Sequence, residues 1–326
     1  MERTIPLKPI IDPIIRIEPN FKHNLWGGTK LRDLYQKQCD TDPFTESWEL
    51  AVHPNGTSTV ATGKNRNLPL DQYFRKAGKE ALGENVDPEK RFPILIKYID
   101  AKDNLSVQVH PDDAYAKEHE NQYGKNELWY VMESDPDAFI YYGFNKDTDE
   151  GEVRDRIDAG TLTEILNKVP VQKGDSYYVK AGTVHAIGKG TLICEIQQSS
   201  DVTYRLYDFK RKDAEGNYRE LHIKQSLDVL NYQKTPLSSE STSRKNKENL
   251  LAENPYFKTE EYRVADQCTL SGSTSSFTAL NFIEGRGTIH TGETSLTFKP
   301  ADTFLLSAQA IEFHIEGACT FLKTTV

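Results

Sequence analysis

Three polar side chains that can bind a metal ion occur in two nearby segments with the alternation of β-strands. In the first segment, LSVQVHP, Gln108 and His110 share one strand face, because successive side chains point to opposite faces. In the second segment, KNELWYVM, Glu127 shares its face with Lys125 and Trp129. An amide, an imidazole and a carboxylate would then converge from two strands. This combination favours a divalent-metal site that needs a further ligand from elsewhere in the chain.

The strands that carry these residues also predict a core. Leu105, Val107 and Val109 are expected to share the apolar face of the first segment, and Pro111 ends the strand because it has no N–H to donate. Upstream, RFPILIKYID predicts a buried strand with one lysine, Lys97. A buried lysine costs free energy unless it is paired or reaches a polar cavity. Lys97 is therefore a candidate site residue.

Composition excludes several classes of protein. The chain has 326 residues and a formal net charge of −9, which argues against nucleic acid or an anionic membrane as a partner. An anionic substrate would need a local cluster of Lys and Arg. The four cysteines are scattered without C-x-x-C spacing, as is typical of free thiols in a reducing compartment. No apolar run is long enough for a transmembrane helix or a signal peptide, so we expect a cytoplasmic protein.

The chain reads as a mainly β protein with two β-rich parts. We predict a barrel domain over residues 1–235 with a helical insertion at about 146–170, and a linker or mobile loop over 236–249. Residues 250–326 contain seven short strand patterns separated by turns, which predict a smaller C-terminal barrel or sandwich without metal ligands. The segment DAEGNY, residues 213–218, predicts a hairpin-type turn.

A second motif resembles the metal-binding motifs of cupin barrels, the jelly-roll type of β-barrel. In GDSYYVKAGTVHAIG, Gly174, Gly182 and His185 have the spacing of the second cupin motif, although Lys180 stands where proline is usual. The segment from Gln108 to Glu127 resembles the first cupin motif. This resemblance adds His185 to Gln108, His110 and Glu127 as metal ligands. Zn, Fe, Mn or Co would each accept such a set, with one position open for water or substrate.

Further motifs narrow the resemblance to one family. SVQVHPDD, KNELWY, KAGTVHAIGKG and SSDVTYRLYDFKR, with WGGTKL, ESWE and FPILIKYIDAKDNLS upstream, closely resemble the type I phosphomannose isomerases. The resemblance implies one Zn²⁺ per chain, held by Gln108, His110, Glu127 and His185. It also implies interconversion of mannose 6-phosphate and fructose 6-phosphate through an enediol. One departure is Asn126, where the family commonly has proline.

The resemblance also implies which side chains surround the substrate. The implied catalytic residues are Arg205, Lys125 and Glu195, and the implied substrate-binding residues are Glu46, Lys97, Ser106, Lys210 and Arg211. Arg205, expected on the same face as Thr203 and Tyr207, offers a guanidinium for the enediolate or the phosphate.

Several of these roles have alternatives. Lys97 and Ser106 would form a phosphate patch with a basic partner. Glu195 is either the proton-transfer base or a carboxylate paired with Arg205. Glu46 either orients a substrate hydroxyl or packs beside Trp48.

Two other functions fit a cupin barrel. One is an Fe-dependent dioxygenase, against which the basic residues Lys97, Lys125 and Arg205 argue, since they suit a sugar phosphate better than an apolar substrate. The other is a sugar-phosphate-binding cupin without catalysis, against which the complete ligand set argues. We expect a small sugar phosphate as the partner, no nucleic acid or membrane, and a monomer or weak homo-oligomer.

Overall fold

The computed structural model describes residues 11–39, 44–213, 215–237 and 250–326. Strands dominate, which confirms the mainly β class. The strands are β1 (Ile14–Glu18), β2 (Asn20–Lys22), β3 (Glu46–Leu50), β4 (Val52–His53), β5 (Gly56–Thr57), β6 (Thr59–Val60), β7 (Ile94–Ala101), β8 (Val107–Val109), β9 (Glu127–Ser134), β10 (Phe139–Phe144), β11 (Leu166–Pro170), β12 (Ser176–Val179), β13 (His185–Ile187), β14 (Thr191–Gln198), β15 (Tyr204–Tyr207), β16 (Leu250–Glu253), β17 (Lys258–Val264), β18 (Gln267–Ser271), β19 (Thr278–Gly285), β20 (Gly287–Thr291), β21 (Thr294–Phe298), β22 (Thr303–Leu306), β23 (Glu312–Glu316) and β24 (Cys319–Thr325).

Helices are few and short. They are α1 (Lys30–Asp33), α2 (Leu70–Ala77), α3 (Lys79–Leu82), α4 (Asp113–His119), α5 (Glu150–Ala159), a 3₁₀ helix at Leu162–Ile165, and α6 (Ile223–Val229). Within the described ranges, no helix has both the length and the apolar character needed to cross a membrane. Among the described residues, none of the four cysteines forms a disulfide.

The described residues form two compact units. The first, here called the site unit, comprises Phe21–Trp48 and Ile94–Ala252, and the second comprises residues 11–20, Glu49–Pro93 and Glu253–Val326. This division differs from the predicted boundaries, which placed all of residues 1–235 in one domain. Residues 238–249, most of the predicted linker, lie outside the described residues.

The site unit contains two antiparallel sheets whose inner faces share one apolar cluster. One sheet has the order β11-β10-β13-β8-β15 and the other β12-β9-β14-β7-β3-β2. Their shared inner cluster includes Ile140 and Ile187 from the first sheet and Trp129, Val131 and Ile193 from the second. Side chains that alternate with these residues point outward. The inner face is where the predicted ligands lie.

A second apolar cluster covers the outer face of the five-stranded sheet. Val107 and Val109 of β8 pack there with Leu162 of the 3₁₀ helix and Leu227 of α6. Leu105 is different, because it precedes β8 and belongs to the inner cluster. The prediction that Leu105 shares the face of Val107 was therefore wrong, since strict alternation begins only where the regular strand begins.

The predicted helical insertion at 146–170 is helical only in its first part. Asp149 caps α5 by accepting a hydrogen bond from the N–H of Glu152, and Gly160 ends the helix in the left-handed conformation. Leu166–Pro170 is instead β11, which pairs with β10. The helical prediction was wrong there, because a neighbouring strand decides the conformation of so short a segment.

The second unit is a pair of sheets built around aromatic side chains. One sheet includes the order β17-β24-β19-β22-β1-β6 and the other has the order β18-β23-β20-β21. All seven strand patterns predicted after residue 255 are confirmed as β17 and β19 to β24. The strand β18 was not predicted, because its side chains are only partly buried and give a weak apolar pattern. Residues 14–18 form β1, which pairs with β22.

Candidate metal centre

The five-stranded sheet places three polar residues in a row on its inner face. Gln108 of β8 lies opposite His185 of β13 on one side and opposite Arg205 of β15 on the other. Side chains that are directly opposite in neighbouring strands have Cβ atoms about 5 Å apart. The Nε2 atoms of Gln108 and His185 are 3.3 Å apart. Residues separated by 77 and 97 positions in the chain are thus brought side by side.

The facing sheet adds a carboxylate to this row. One ligand atom from each of His110, Glu127 and His185 lies within 4.8 Å of the others. His110 Nε2 is 3.2 Å from Glu127 Oε1, and His185 Nε2 is 3.7 Å from Glu127 Oε2. All three side chains are almost completely buried. Buried groups of this kind, converging on one point, are typical of a metal site.

Both imidazoles are held with Nε2 directed into the site. His110 Nδ1 is 2.9 Å from the carbonyl oxygen of Val202, and His185 Nδ1 is 2.8 Å from that of Thr183. Since a carbonyl only accepts, each Nδ1 carries the hydrogen and each neutral ring keeps its lone pair on Nε2. Backbone contacts of this kind orient metal-binding histidines in proteins.

Burial keeps both rings neutral. Burial, with the nearby Lys125 ammonium, lowers the pKa of His110 to about 3. Burial also lowers the pKa of His185. The neutral imidazole is the form that binds a metal ion, so the two rings are ready to act as ligands.

Lys125 places a positive charge among the ligand atoms. Its Nζ is 2.5 Å from Glu127 Oε1 and 3.1 Å from His110 Nε2. Burial alone would raise the pKa of Glu127, but the positive charge of Lys125 outweighs burial and holds the pKa well below its usual value. The Glu127 carboxylate is thus ionised, and the Lys125 ammonium is the cation that lies beside it. The donor set therefore fits a cation, with Gln108 contributing its amide oxygen once the amide is rotated.

A second row crosses the facing sheet beside the ligands. Glu195 of β14 lies opposite Trp129 of β9 and opposite Lys97 of β7. Lys97 Nζ is 3.2 Å from Glu195 Oε1 and 3.8 Å from Glu46 Oε2. Buried Lys97 is therefore paired, as its burial requires. The predicted alternative of a Glu195–Arg205 ion pair was wrong, because the register places Lys97 opposite Glu195.

In this second row, the charges of neighbouring groups shift the pKa values of Lys97 and Glu195. Burial disfavours the ammonium of Lys97, but Glu195 and Glu46 outweigh it and raise the pKa of Lys97 above its usual value. Burial and the nearby Glu127 carboxylate raise the pKa of Glu195. Glu195 is thus a carboxyl group whose affinity for a proton is higher than usual.

The indole of Trp129 joins the two rows, and sequence reasoning missed this. Its Nε1–H donates to Glu127 Oε2 and to Glu195 Oε2, at 3.0 Å in both cases. Trp129 is completely buried. Its position two residues after Glu127, on the same face, was the signal that could have identified it.

Asn126 supports the ligands from the side, also unpredicted. Its backbone N–H and its Nδ2 both donate to Gln198 Oε1, at 3.0 and 2.7 Å, and its Oδ1 accepts from the N–H of Ala181 at 3.0 Å. These bonds tie the strand of Glu127 to the turn that precedes His185. A proline at this position would lack the backbone donor.

The implied substrate-binding residues are partly gathered around these rows. Ser106 is buried immediately before β8. Glu46 accepts a hydrogen bond at 2.7 Å from Trp48 Nε1, so both of its predicted neighbours, Lys97 and Trp48, contact it. Lys22, which was not predicted, lies over the Trp48 ring with its Nζ 4.6 Å from the centroid.

The basic side chains in and after β15 contact different parts of the structure. The guanidinium of Arg205 donates to the carbonyl oxygen of Glu220 at 2.7 Å, and that of Arg211 donates to Asp208 at 2.6 Å. Lys210 lies instead beside Gly160. A Cβ atom added to that glycine would be 3.4 Å from the Nζ of Lys210. A register shift after Arg205 places Tyr207 opposite Val107, against the outer cluster. The predicted shared face of Arg205 and Tyr207 was wrong because of this bulge.

Known proteins resemble this chain along nearly all of its length. Residues 14–141 match the family described as phosphomannose isomerase type I, catalytic domain, and residues 246–326 match mannose-6-phosphate isomerase, cupin domain. The mannose-6-phosphate isomerase ManA of Bacillus subtilis is 40% identical over 305 residues, which cover 92% of this chain and 95% of that protein. The mannose-6-phosphate isomerase of Streptococcus mutans is 38% identical over 307 residues, covering 92% and 94%.

A solved structure gives the same result for the fold. The crystal structure of the mannose 6-phosphate isomerase from Bacillus subtilis matches with a TM-score of 0.87 and 32% identity, covering 97% of this chain and 100% of that one. These matches confirm the predicted cupin fold.

Proposed function

Because this chain belongs to the type I phosphomannose isomerase family, we propose that it interconverts mannose 6-phosphate and fructose 6-phosphate. We further propose that one Zn²⁺ per chain is bound by Gln108, His110, Glu127 and His185. The observation that carries the metal assignment is the convergence of His110, Glu127 and His185 within 4.8 Å, with both histidines orienting Nε2 inward.

The reaction sets clear demands on the site. Isomerisation through an enediol moves one proton between C2 and C1 while negative charge develops on O1 and O2. A divalent ion held by Gln108, His110, Glu127 and His185 would supply positive charge to stabilise the developing oxyanion. The protein must in addition exchange a proton with carbon, stabilise the developing charge and exclude water.

We propose that Arg205, Lys125 and Glu195 carry out these tasks. Arg205, opposite Gln108 in the sheet, offers its guanidinium to the developing charge. Lys125 contacts Glu127 directly. Glu195 is connected to Glu127 through Trp129, whose Nε1–H donates to both carboxylates. We propose these two groups as the candidates for the proton transfer. The raised pKa of Glu195 suits a group that accepts a proton and gives it back during the reaction.

A coupled assay with elemental analysis tests the function. Purified protein should turn over mannose 6-phosphate and contain about one equivalent of a divalent metal, as one four-ligand site requires. EDTA should abolish turnover, and added Zn²⁺ should restore it. Full activity in metal-free protein would reject the metal assignment, and oxygen consumption without isomerisation would favour the dioxygenase alternative.

Isotope exchange distinguishes the two proton-transfer candidates. Mannose 6-phosphate deuterated at C2 should lose its label to water during turnover by the wild-type protein. Of Lys125→Met and Glu195→Gln, the variant that keeps the metal but no longer exchanges the label identifies the base. If both variants exchange at the wild-type rate, neither residue moves the proton.

The remaining predictions concern the binding partner, the cellular compartment and the oligomeric state. A sugar phosphate is the proposed partner, in a protein that resides in the cytoplasm and is a monomer or weak homo-oligomer. Light scattering on the purified chain measures the oligomeric state directly.

A further inference from the structure

The turn that joins β14 to β15 is buried, although turns usually lie at the surface. Residues 198–202 connect the six-stranded sheet to the five-stranded sheet. Four of these five residues are buried, and the other, Asp201, is half-buried. Carbonyl and N–H groups in a buried turn cannot reach water, so each costs free energy unless the protein supplies a partner. The side chains that supply such partners therefore help to decide the conformation of this turn.

Gln197 supplies partners for two of these carbonyl groups. Its Nε2 donates to the carbonyl oxygen of Gln198 at 2.7 Å and to that of Ser200 at 2.6 Å. The side chain is completely buried, and its Oε1 accepts no hydrogen bond within the described residues. Because a carbonyl oxygen only accepts, the amide nitrogen must be the atom that faces both carbonyls. Gln197 therefore closes the turn with the two N–H groups of its amide.

The closed turn leads by hydrogen bonds to the proposed metal ligand His110. Ser200 Oγ accepts from the N–H of Val202 at 3.3 Å. The carbonyl oxygen of Val202 in turn accepts from Nδ1 of His110 at 2.9 Å. Three hydrogen bonds thus connect Gln197 with His110, and the last of them directs the Nε2 atom of His110 toward Glu127.

Loss of the Gln197 amide would disturb this connection at its start. In the sheet, Gln197 lies opposite Glu127, so the turn that it closes begins beside the metal ligands. An apolar side chain at position 197 would leave two buried carbonyl groups without their donor, and movement of the turn would relieve that cost. Movement of the Val202 carbonyl would leave the imidazole of His110 free to rotate or to change its tautomer.

We propose that Gln197 is a positioning residue for the metal centre, which holds residues 198–202 so that the Val202 carbonyl fixes the orientation and the tautomer of His110. This inference rests on the metal assignment of the proposed function and adds a residue that sequence reasoning did not identify. Hydrogen-bond partners of metal-binding histidines determine metal affinity because they hold the ligand in its binding orientation before the ion arrives.

Gln197→Met tests this role, with Asn167→Leu as the matched control. Methionine has nearly the length and volume of glutamine but no donor for the two carbonyl groups. Asn167 also lies in the site unit, and its Nδ2 also donates to backbone carbonyls, at 3.0 to 3.1 Å. In the described structure, none of these carbonyls belongs to the turn that Gln197 closes.

Three measurements on each protein separate metal binding from folding. The Kd of Zn²⁺ is measured by competition with a chromogenic chelator. The visible absorption spectrum of the Co²⁺-loaded protein reports the geometry of the ligands. Thermal melting of the metal-free protein measures its stability.

Zn²⁺ affinity should fall in Gln197→Met and not in the control. The Kd of Zn²⁺ should rise about tenfold or more, because losing a partner that orients a metal-binding histidine costs about 10- to 100-fold in affinity. The Co²⁺ spectrum should also change, whereas Asn167→Leu should keep the wild-type Kd and spectrum. A folded Gln197→Met protein with the wild-type Kd and spectrum, or an equal loss of affinity in Asn167→Leu, would overturn the inference.

Ser200→Ala provides a second variant in case Gln197→Met does not fold. It removes the hydroxyl that accepts from the N–H of Val202 but keeps the carbonyl that Gln197 contacts. The Kd of Zn²⁺ should therefore rise in Ser200→Ala as well, by a smaller factor. If Gln197→Met does not fold, a wild-type Kd in Ser200→Ala overturns the inference.

Metal affinity also separates this inference from the proposed function, because it is measured without substrate. If Gln197→Met binds Zn²⁺ more weakly than the wild-type protein does, the inference stands even if mannose 6-phosphate is not turned over. If the wild-type protein is an active isomerase and both proteins bind Zn²⁺ equally, the inference fails while the function stands. If the wild-type protein binds no Zn²⁺, the metal assignment fails and the inference fails with it.

Discussion

The imidazoles of His110 and His185 show how single residues are prepared for metal binding. Each donates Nδ1–H to a backbone carbonyl, and each is deeply buried, so both remain neutral with Nε2 facing Glu127. The adjacent Lys125 keeps that carboxylate ionised. Removing a metal ligand should therefore lower the metal content, whereas removing a neighbouring charged group should lower kcat.

Ligand and non-ligand variants should separate metal binding from catalysis. His185→Ala and Gln108→Ala should lower the metal content, because each removes one donor of the four. Arg205→Ala should retain the metal and lower kcat about 100-fold or more, the usual effect of losing one group that stabilises transition-state charge. Elemental analysis and steady-state kinetics on the same preparations measure both effects. Wild-type turnover in Arg205→Ala would show that its catalytic role is wrong.

Trp129 should act as a positioning residue through its single N–H. Trp129→Phe keeps a buried aromatic ring but leaves Glu127 and Glu195 without their shared donor, so we expect kcat to fall between about 10- and 100-fold by misplacement of catalytic groups. The metal should be retained, because all four ligands remain. Kinetics and elemental analysis provide the readout.

Trp26→Phe is the control for the change in volume. Trp26 belongs to the same inner cluster, and within the described residues the hydrogen bonds from an indole to Glu127 and Glu195 come from Trp129 and not from Trp26. If the two variants lose equal activity, Trp129 acts only through packing, and the positioning role is rejected.

Among the elements, the hairpin after β15 depends on a charged centre. Burial alone would raise the pKa of Asp208, but hydrogen bonds from Arg219 and Arg211 outweigh burial and lower it. The unfolded chain therefore binds the proton more tightly than the folded chain does. The stabilisation is complete above the unfolded pKa of about 4 and is lost as the pH falls through the lower folded value.

Asp208→Asn should show this dependence. At pH 7 we expect the free energy of unfolding to fall by about 2 kcal/mol, because charged hydrogen bonds to two arginines are lost. The difference from the wild-type protein should shrink as the pH falls below about 4, where Asp208 is protonated first in the unfolded chain, and should disappear below the lower pKa of the folded chain. Urea unfolding at several pH values measures it. Glu150→Gln, which removes an exposed ion pair with Arg154, should change stability by less than about 1 kcal/mol.

For the whole molecule, the C-terminal segment completes a unit that begins near the N-terminus. Within the second unit, Ile14 and Ile15 of β1 pair with Leu306 and Leu305 of β22 and are buried. The buried carboxylate of Glu49 accepts a hydrogen bond from Thr303 at 2.8 Å. This unit is therefore built from both ends of the chain.

A fragment of residues 1–249 should lose the second unit. Without β22 and Thr303, β1 loses one of its two neighbouring strands and the buried carboxylate of Glu49 loses a donor, so residues 14–18 and 49–93 should lose protection in hydrogen exchange. The full-length chain under the same conditions is the control. Native-level protection of residues 14–18 in the fragment would show that they belong to an independent N-terminal domain.

The amino-acid sequence alone determined the local parts of the site. Alternation with a period of two placed Gln108 on the inward face of β8, and it placed Lys125, Glu127 and Trp129 on one side of their segment, because strand sterics act between near neighbours. The cupin-like motif added His185. The same local signals identified all seven predicted strands after residue 255.

Tertiary structure decided which strands are neighbours and therefore which charges meet. Register places Lys97 rather than Arg205 opposite Glu195, a bulge turns Tyr207 away from the face of Arg205, and pairing with β10 makes a strand of Leu166–Pro170. The same applies to β1, whose partner β22 lies almost at the other end of the chain. Each outcome depends on contacts between distant segments, and these contacts exist only once the sheets have formed.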